Sequence, residues 1–230
     1  MKYCLTLCHF GDIIADSLIS LMSLHSSPPP MSFRNFTTKV AAPKARCCYD
    51  FQITVKNIHN KKYSLFIDTY VKDPQEKLHL VLHTTETVTC VQRKANWALK
   101  WCNPINASFA KCMLAFATVE DIFFSGSFCA ISWLKKQLIS RDEGLQYDFA
   151  CLLYSKLIKH LPEVLVVNII SSAADIKMEF VADALPVKLI RMNSTMMCDY
   201  IKFKFCTDRL LISLGCQRHH RNGNPFEWME

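Results

Sequence analysis

Alternation of apolar and polar residues dominates the stretch from Tyr49 to His83. Tyr49, Phe51, Ile53 and Val55 alternate with Asp50, Gln52, Thr54 and Lys56, the period-2 pattern of a half-buried strand. Asn57 to Lys62 is polar and turn-prone, Tyr63 to Val71 resumes strand-forming residues, and Lys72 to Lys77 breaks again around Pro74. Leu78, Leu80 and Leu82 then alternate with His79, Val81 and His83. Three such segments joined by short polar turns predict an antiparallel β-meander with one buried face. The expected fold class is α+β, with a meander core at about residues 47–92, covering helices and further C-terminal strands.

The rest of the chain is read around that core. Met1 to His25 carries Asp12, Asp16, Ser20 and Ser23 on one helical stripe, opposite Ile14, Leu18, Leu21 and Met22, and reads as an amphipathic leader helix (residues 1–25). Ser26-Ser27-Pro28-Pro29-Pro30 ends it and opens a proline-rich basic arm over residues 26–46. A single globular domain is expected over 47–216 and a polar tail over 217–230. Within the domain, Arg93–Cys102 reads as a helix with Trp97 and Trp101 on one face. Ser108–Val119 reads as a buried helix or strand, and Phe128–Ile139 as a helix. Leu145–Leu161 reads as a long helix with Leu145, Phe149, Leu152, Leu153 and Leu157 facing the core. Strands are expected at Val164–Ile170, Asp175–Val181, Val187–Met192 and Tyr200–Cys206, and Arg141–Gly144 is expected to be a loop.

Composition narrows the chemistry. The chain has five glycines in 230 residues, Gly11, Gly126, Gly144, Gly215 and Gly223, and none lies within six residues of another. Phosphate-cradling loops and nucleophile elbows need clustered glycines for close backbone approach, so the common nucleotide-binding and hydrolase motifs are excluded. Net charge is +7, and residues 31–62 carry seven basic side chains against Asp50 alone. Arg34, Lys39, Lys44, Arg46, Lys61 and Lys62 form the expected contact set for an anionic surface. Trp97 and Trp101, beside lysines, are candidate aromatic contacts to nucleic acid or a membrane interface. The twelve cysteines are spread through apolar segments and are read as reduced thiols of an intracellular protein. No stretch is long and apolar enough for a transmembrane helix.

Catalytic constellations are sparse. Cys206, Cys216, His219 and His220 are a candidate zinc cluster, but without a Cys-x2-Cys knuckle. Cys47-Cys48, near Lys44 and Arg46, is a weak nucleophile candidate. His79 and His83 share a strand face as a pH-sensitive patch. Glu120-Asp121 and Asp142-Glu143 are read as solvated pairs in turns. No cofactor is expected. The layout of a proline-containing basic arm before a compact domain is similar to that of small peripheral matrix proteins of enveloped negative-strand RNA viruses. The expected function is thus a non-enzymatic structural protein that self-associates at an anionic membrane surface and contacts ribonucleoprotein. The alternatives are a nucleic-acid-binding or regulatory protein using the arm and both tryptophans, and a small cysteine-dependent or zinc enzyme.

Overall fold

The protein is described by a computed structural model covering residues 39–70, 72–75, 89–102, 107–123, 139–184, 194–203 and 210–216. Among these residues every regular element is helical. In chain order they are α1 (Pro43–Tyr70), α2 (Thr89–Cys102), α3 (Phe109–Thr118), α4 (Ile139–Ser155), α5 (Glu163–Ala184), α6 (Ser194–Phe203) and the single turn α7 (Leu210–Ser213). The α+β reading with its β-meander core is overturned. The leader helix, most of the basic arm, the expected strands Leu78–His83 and Val187–Met192, and the tail lie outside the described residues. The chain divides into two compact units, Met1–Ala107 and Ser108–Glu230.

In the first unit, α1 runs through the first two expected strands and the turn between them. Among its described side chains, Ala45, Tyr49, Gln52 and Lys56 are buried. Steps of four, three and four residues make that a helical stripe and not a strand face. Phe51, Ile58 and Leu65 stand 66%, 51% and 55% exposed at seven-residue intervals. The alternation misleads because the core-facing stripe holds a glutamine and a lysine while large apolar residues face outward. Past α1, the Asp73 carboxylate accepts a hydrogen bond from the Gln75 backbone N–H at 2.9 Å, an Asx turn around Pro74. Helix α2 is conventional by contrast. Cys90, Val91, Ala95, Trp97, Ala98 and Cys102 are buried, and Lys94 is buried among them.

In the second unit, the Ser108 hydroxyl caps α3 by accepting from the Lys111 N–H at 3.4 Å. The helix is buried almost all round and continues directly into a π-helical turn, Val119–Phe123. Just before that turn, the buried Thr118 hydroxyl donates to the Leu114 carbonyl at 2.9 Å, a back-bond that loosens the local ladder. The turn packs against α4 and α5, and α3 packs against both of these helices. Ile122 and Phe123 are fully buried, and burial of each side chain stabilises the unit by about 1.5–3 kcal/mol.

Helix α4 starts at Ile139, so Arg141–Gly144 is helical and not a loop. It ends at Ser155, ahead of the expected Leu161. Residues 156–162 are fastened back on it. The Tyr154 hydroxyl accepts from the Leu161 N–H at 3.0 Å, and the His160 ring stacks on the Tyr154 ring with centroids 5.3 Å apart. The Pro162 carbonyl then accepts from Leu165 and Val166, opening α5.

Helix α5 covers two expected strands. Its buried residues Val166, Ile169, Ile170, Ala173, Ala174, Lys177, Phe180 and Val181 recur every three or four positions. A buried lysine again hid the helical period. The Lys177 ammonium lies 4.9 Å from the Phe180 ring centroid. The expected strand Tyr200–Cys206 falls partly in α6, whose buried residues Met197 and Ile201 are one helical turn apart. Helix α6 packs on α5, where the Cys198 thiol donates to the Met178 carbonyl at 3.7 Å. Helix α7 packs on α4 and closes with Gly215 at φ 79°. There the Gly215 N–H bonds the Ile212 carbonyl and the Cys216 N–H bonds that of Leu211, a Schellman cap.

Candidate functional site

The second unit concentrates buried polar chemistry where the π turn meets α4 and α5. A π turn inside a helix is rare and often marks a functional position, since the extra residue re-aims its side chains. Here it carries Glu120, only 5% exposed, followed by Asp121. Opposite, α4 buries Gln146, Tyr147, Ala150, Cys151 and Tyr154, again at three- and four-residue spacing. Of the residues read onto one face from sequence, Leu145 and Leu152 are 58% and 55% exposed, while Phe149, Leu153 and Leu157 are half-buried. Gln146 is buried, and its Oε1 has no hydrogen-bond partner among the described residues. Leaving such an oxygen unpaired costs about 1–3 kcal/mol.

Beside Gln146, the Tyr147 hydroxyl donates to the Ser213 hydroxyl at 3.3 Å and joins α4 to α7. Burial holds the Tyr147 phenol above its ordinary range, and Cys151 and Asp121 add to that shift. Burial likewise pushes the Cys151 thiol up to about 12, with Asp121 and Asp148 adding to it and a hydrogen bond with Tyr147 opposing it. Both groups are neutral at physiological pH, so they act as packed hydrogen-bonding groups and not as nucleophiles.

In the first unit, Lys56 is the charged member of the core stripe of α1, 3% exposed, with His59 one turn further along the helix. Gln52, at 4% exposure, has an Oε1 without a partner among the described residues.

The residues singled out from sequence are dispersed. Lys39, Lys44, Arg46 and Lys61 are exposed, while Arg34 and the side chain of Lys62 lie outside the described residues. Trp97 is 5% exposed and belongs to the buried face of α2. Trp101 is half-buried, with the Lys100 ammonium 4.9 Å from its ring centroid. Cys216 follows the α7 cap, half-buried, and Cys206, His219 and His220 lie outside the described residues. Among the described residues no group of three or more His, Cys, Asp or Glu is placed to hold a metal ion. Cys47 is exposed and Cys48 half-buried, and burial raises the Cys48 thiol above its ordinary range, against an activated nucleophile. Glu120, Gln146 and Lys177 were missed. The signal available for them was a polar residue recurring in phase with a helical apolar stripe, which becomes readable only once the segment is taken as helix.

Residues 31–225 match the family model of the ribonucleotide reductase small chain. The chain belongs to that family. It is 51% identical over 207 residues to the ribonucleoside-diphosphate reductase small chain of Trypanosoma brucei brucei, covering 85% of this chain and 60% of that one. To the small subunit of Dictyostelium discoideum it is 50% identical over 206 residues, with the same coverage. The chain thus spans about three-fifths of the length of these curated relatives. Among solved structures, the ribonucleotide reductase Rnr4 homodimer from Saccharomyces cerevisiae superposes with a TM-score of 0.79 at 26% identity, covering 96% of this chain and 71% of that one.

Family membership overturns the non-enzymatic, matrix-like reading, since the relatives are chains of a reductase. It equally replaces the anionic membrane and ribonucleoprotein as expected partners. No helix among the described residues is long and apolar enough to cross a membrane.

Helical-bundle carboxylate proteins of this architecture hold a pair of metal ions with one Glu from each of two helices and a Glu-x-x-His from each of two others. The described helices offer no Glu-x-x-His. On α4 the pattern reads Glu143-Gly144-Leu145-Gln146, and on α1 it reads Lys56-Asn57-Ile58-His59. The chain has a single Glu-x-x-His in sequence, Glu76 to His79, outside the described residues. A lysine ammonium has no lone pair to give, and an amide is a poor substitute for imidazole toward iron or manganese. The residues present do not fit such a centre.

Proposed function

We propose that this chain is a small subunit of a ribonucleoside-diphosphate reductase and acts by assembling with a large chain of that enzyme. The observation that carries the reading is identity of about one residue in two, sustained over the helical body, to chains named as reductase small chains. The domain expected over residues 47–216 lies wholly inside the family match. The substrate class is the ribonucleoside diphosphate. An intracellular setting follows from that chemistry, and the free thiols of the described cysteines suit it. Support from the fold is the buried polar layer on the π turn, α4 and α5, which a purely structural bundle would fill with apolar side chains.

The test is sedimentation of the purified full chain mixed with the large chain from the same organism. A faster-sedimenting complex is expected, saturating at a fixed ratio of the two chains. Independent sedimentation of the two at tens of micromolar would contradict the proposal.

A further inference from the structure

We infer that this chain does not assemble a two-metal carboxylate centre of its own, because each helix that carries half of a Glu-x-x-His lacks the other half. The inference rests on the small-subunit reading above and narrows it to a subunit that joins the reductase without bringing a metal pair.

Placement shows that the substitutions are not on idle faces. Lys56 and Gln146 each sit on the buried stripe of their helix, each 3% exposed and three residues from the other member of the motif, His59 on α1 and Glu143 on α4. 

Helical residues three apart share a face, so these are the inward positions from which the motif would act.

The chemistry at each position then decides. A metal ligand must present a lone pair, and Lys56 brings a cation with donors only. Exchanging a carboxylate for an ammonium also changes the charge of a donor set by two units, against a pair of dications that needs negative charge to hold it. The Gln146 amide oxygen is a neutral donor of the kind calcium accepts alongside several carboxylates. It does not replace the imidazole nitrogen that iron and manganese sites use. Glu120 remains as a buried carboxylate on the π turn, and one or two carboxylates do not hold a metal pair. Counting Glu76 to His79 as well would still leave one of the two motifs missing.

The experiment loads the full chain anaerobically with excess ferrous iron, and separately with manganous ion. Excess metal is removed by desalting, and bound metal per chain is measured by mass spectrometry. The double variant Lys56→Glu/Gln146→His is treated in the same way. The expected result is wild-type chain at least tenfold below the roughly two ions per chain of a filled centre, with a several-fold gain in the double variant. About two ions per wild-type chain would overturn the inference, and a folded double variant that binds no more than wild type would overturn its assignment to Lys56 and Gln146. If circular dichroism shows that the double variant does not fold, the wild-type stoichiometry decides alone. Sedimentation with the large chain on the same samples separates the two readings. Metal-free chain that binds the large chain supports both, whereas metal-free chain that does not bind it keeps this inference and removes the proposed function.

Discussion

Helices α3 and α1 bury different mixtures of side chain. Helix α3 is almost wholly apolar where it is buried, with Cys112, Met113, Leu114, Ala115, Phe116 and Ala117 inside and only the Thr118 hydroxyl, bonded to Leu114, polar among them. Helix α1 buries Gln52 and Lys56 and exposes Phe51, Ile58 and Leu65. Stability alone accounts for α3, whose inward residues contribute burial and ask for nothing else. It does not account for α1, where polar groups are kept out of water at a cost that apolar residues would avoid. Helix α4 follows α1, with Gln146 inside and Leu145 and Leu152 outside. Each of the two helices that carries half of a Glu-x-x-His thus buries at least one polar side chain and exposes large apolar ones.

The largest effect expected from this contrast is in the apolar region. Truncating Phe123→Ala on the π turn should cost about 3–5 kcal/mol in a denaturant titration, because a fully buried ring leaves a cavity. A loss under about 1 kcal/mol would mean that the turn is not packed as described. In the polar region the sign should reverse. Gln146→Leu removes an oxygen that lacks a partner and should leave stability unchanged or raise it by about 1 kcal/mol. A loss comparable to that of Phe123→Ala would show that the amide is fully satisfied.

Gly215→Ala should cost about 1 kcal/mol, all of it from the left-handed backbone, since a Cβ there would meet no atom within 4 Å. Smallest of all, Phe51→Ser on the outward side of α1 should change stability by about 0.5 kcal/mol or less.

The pH dependence follows from Cys151. Its folded-state pKa lies above the ordinary thiol value of 9.0, at about 12, so the folded state keeps a proton that the unfolded chain gives up. The corresponding stability is fully present below pH 9 and is lost as pH rises toward 12. Cys151→Ala should flatten that decline in alkaline thermal melts, and an unchanged slope would assign it to other groups.

Some of this was legible in the sequence. The helix read over Arg93–Cys102 lies inside α2, because its apolar residues recur with helical spacing. The long helix read from Leu145 lies mostly on α4, but with the wrong face inward, since leucines outweighed Gln146 and Tyr147 in any hydropathy pattern. On α1 and α5 the helical period was broken at Lys56 and Lys177, and removing one core position from a 3–4–3 stripe leaves something close to alternation. Glu120 and Asp121 read as a solvated turn because nothing local distinguishes a charged pair on a π turn from one in a loop. The metal-type motif was illegible for a simpler reason, because neither half-pattern on the described helices is a complete Glu-x-x-His.

The account depends most on the inward polar face of α1, and single-cysteine labelling reads that face directly. With Cys47 and Cys48 replaced by Ser, cysteine is introduced at Tyr49, Phe51, Gln52 or Lys56 in turn, and alkylation at the introduced residue is timed in the folded chain. Fast labelling at position 51 and protection at 49, 52 and 56 is the expected result. Protection at 49 and 51 together, with fast labelling at 52 and 56, is the pattern of a strand and would contradict the helical account.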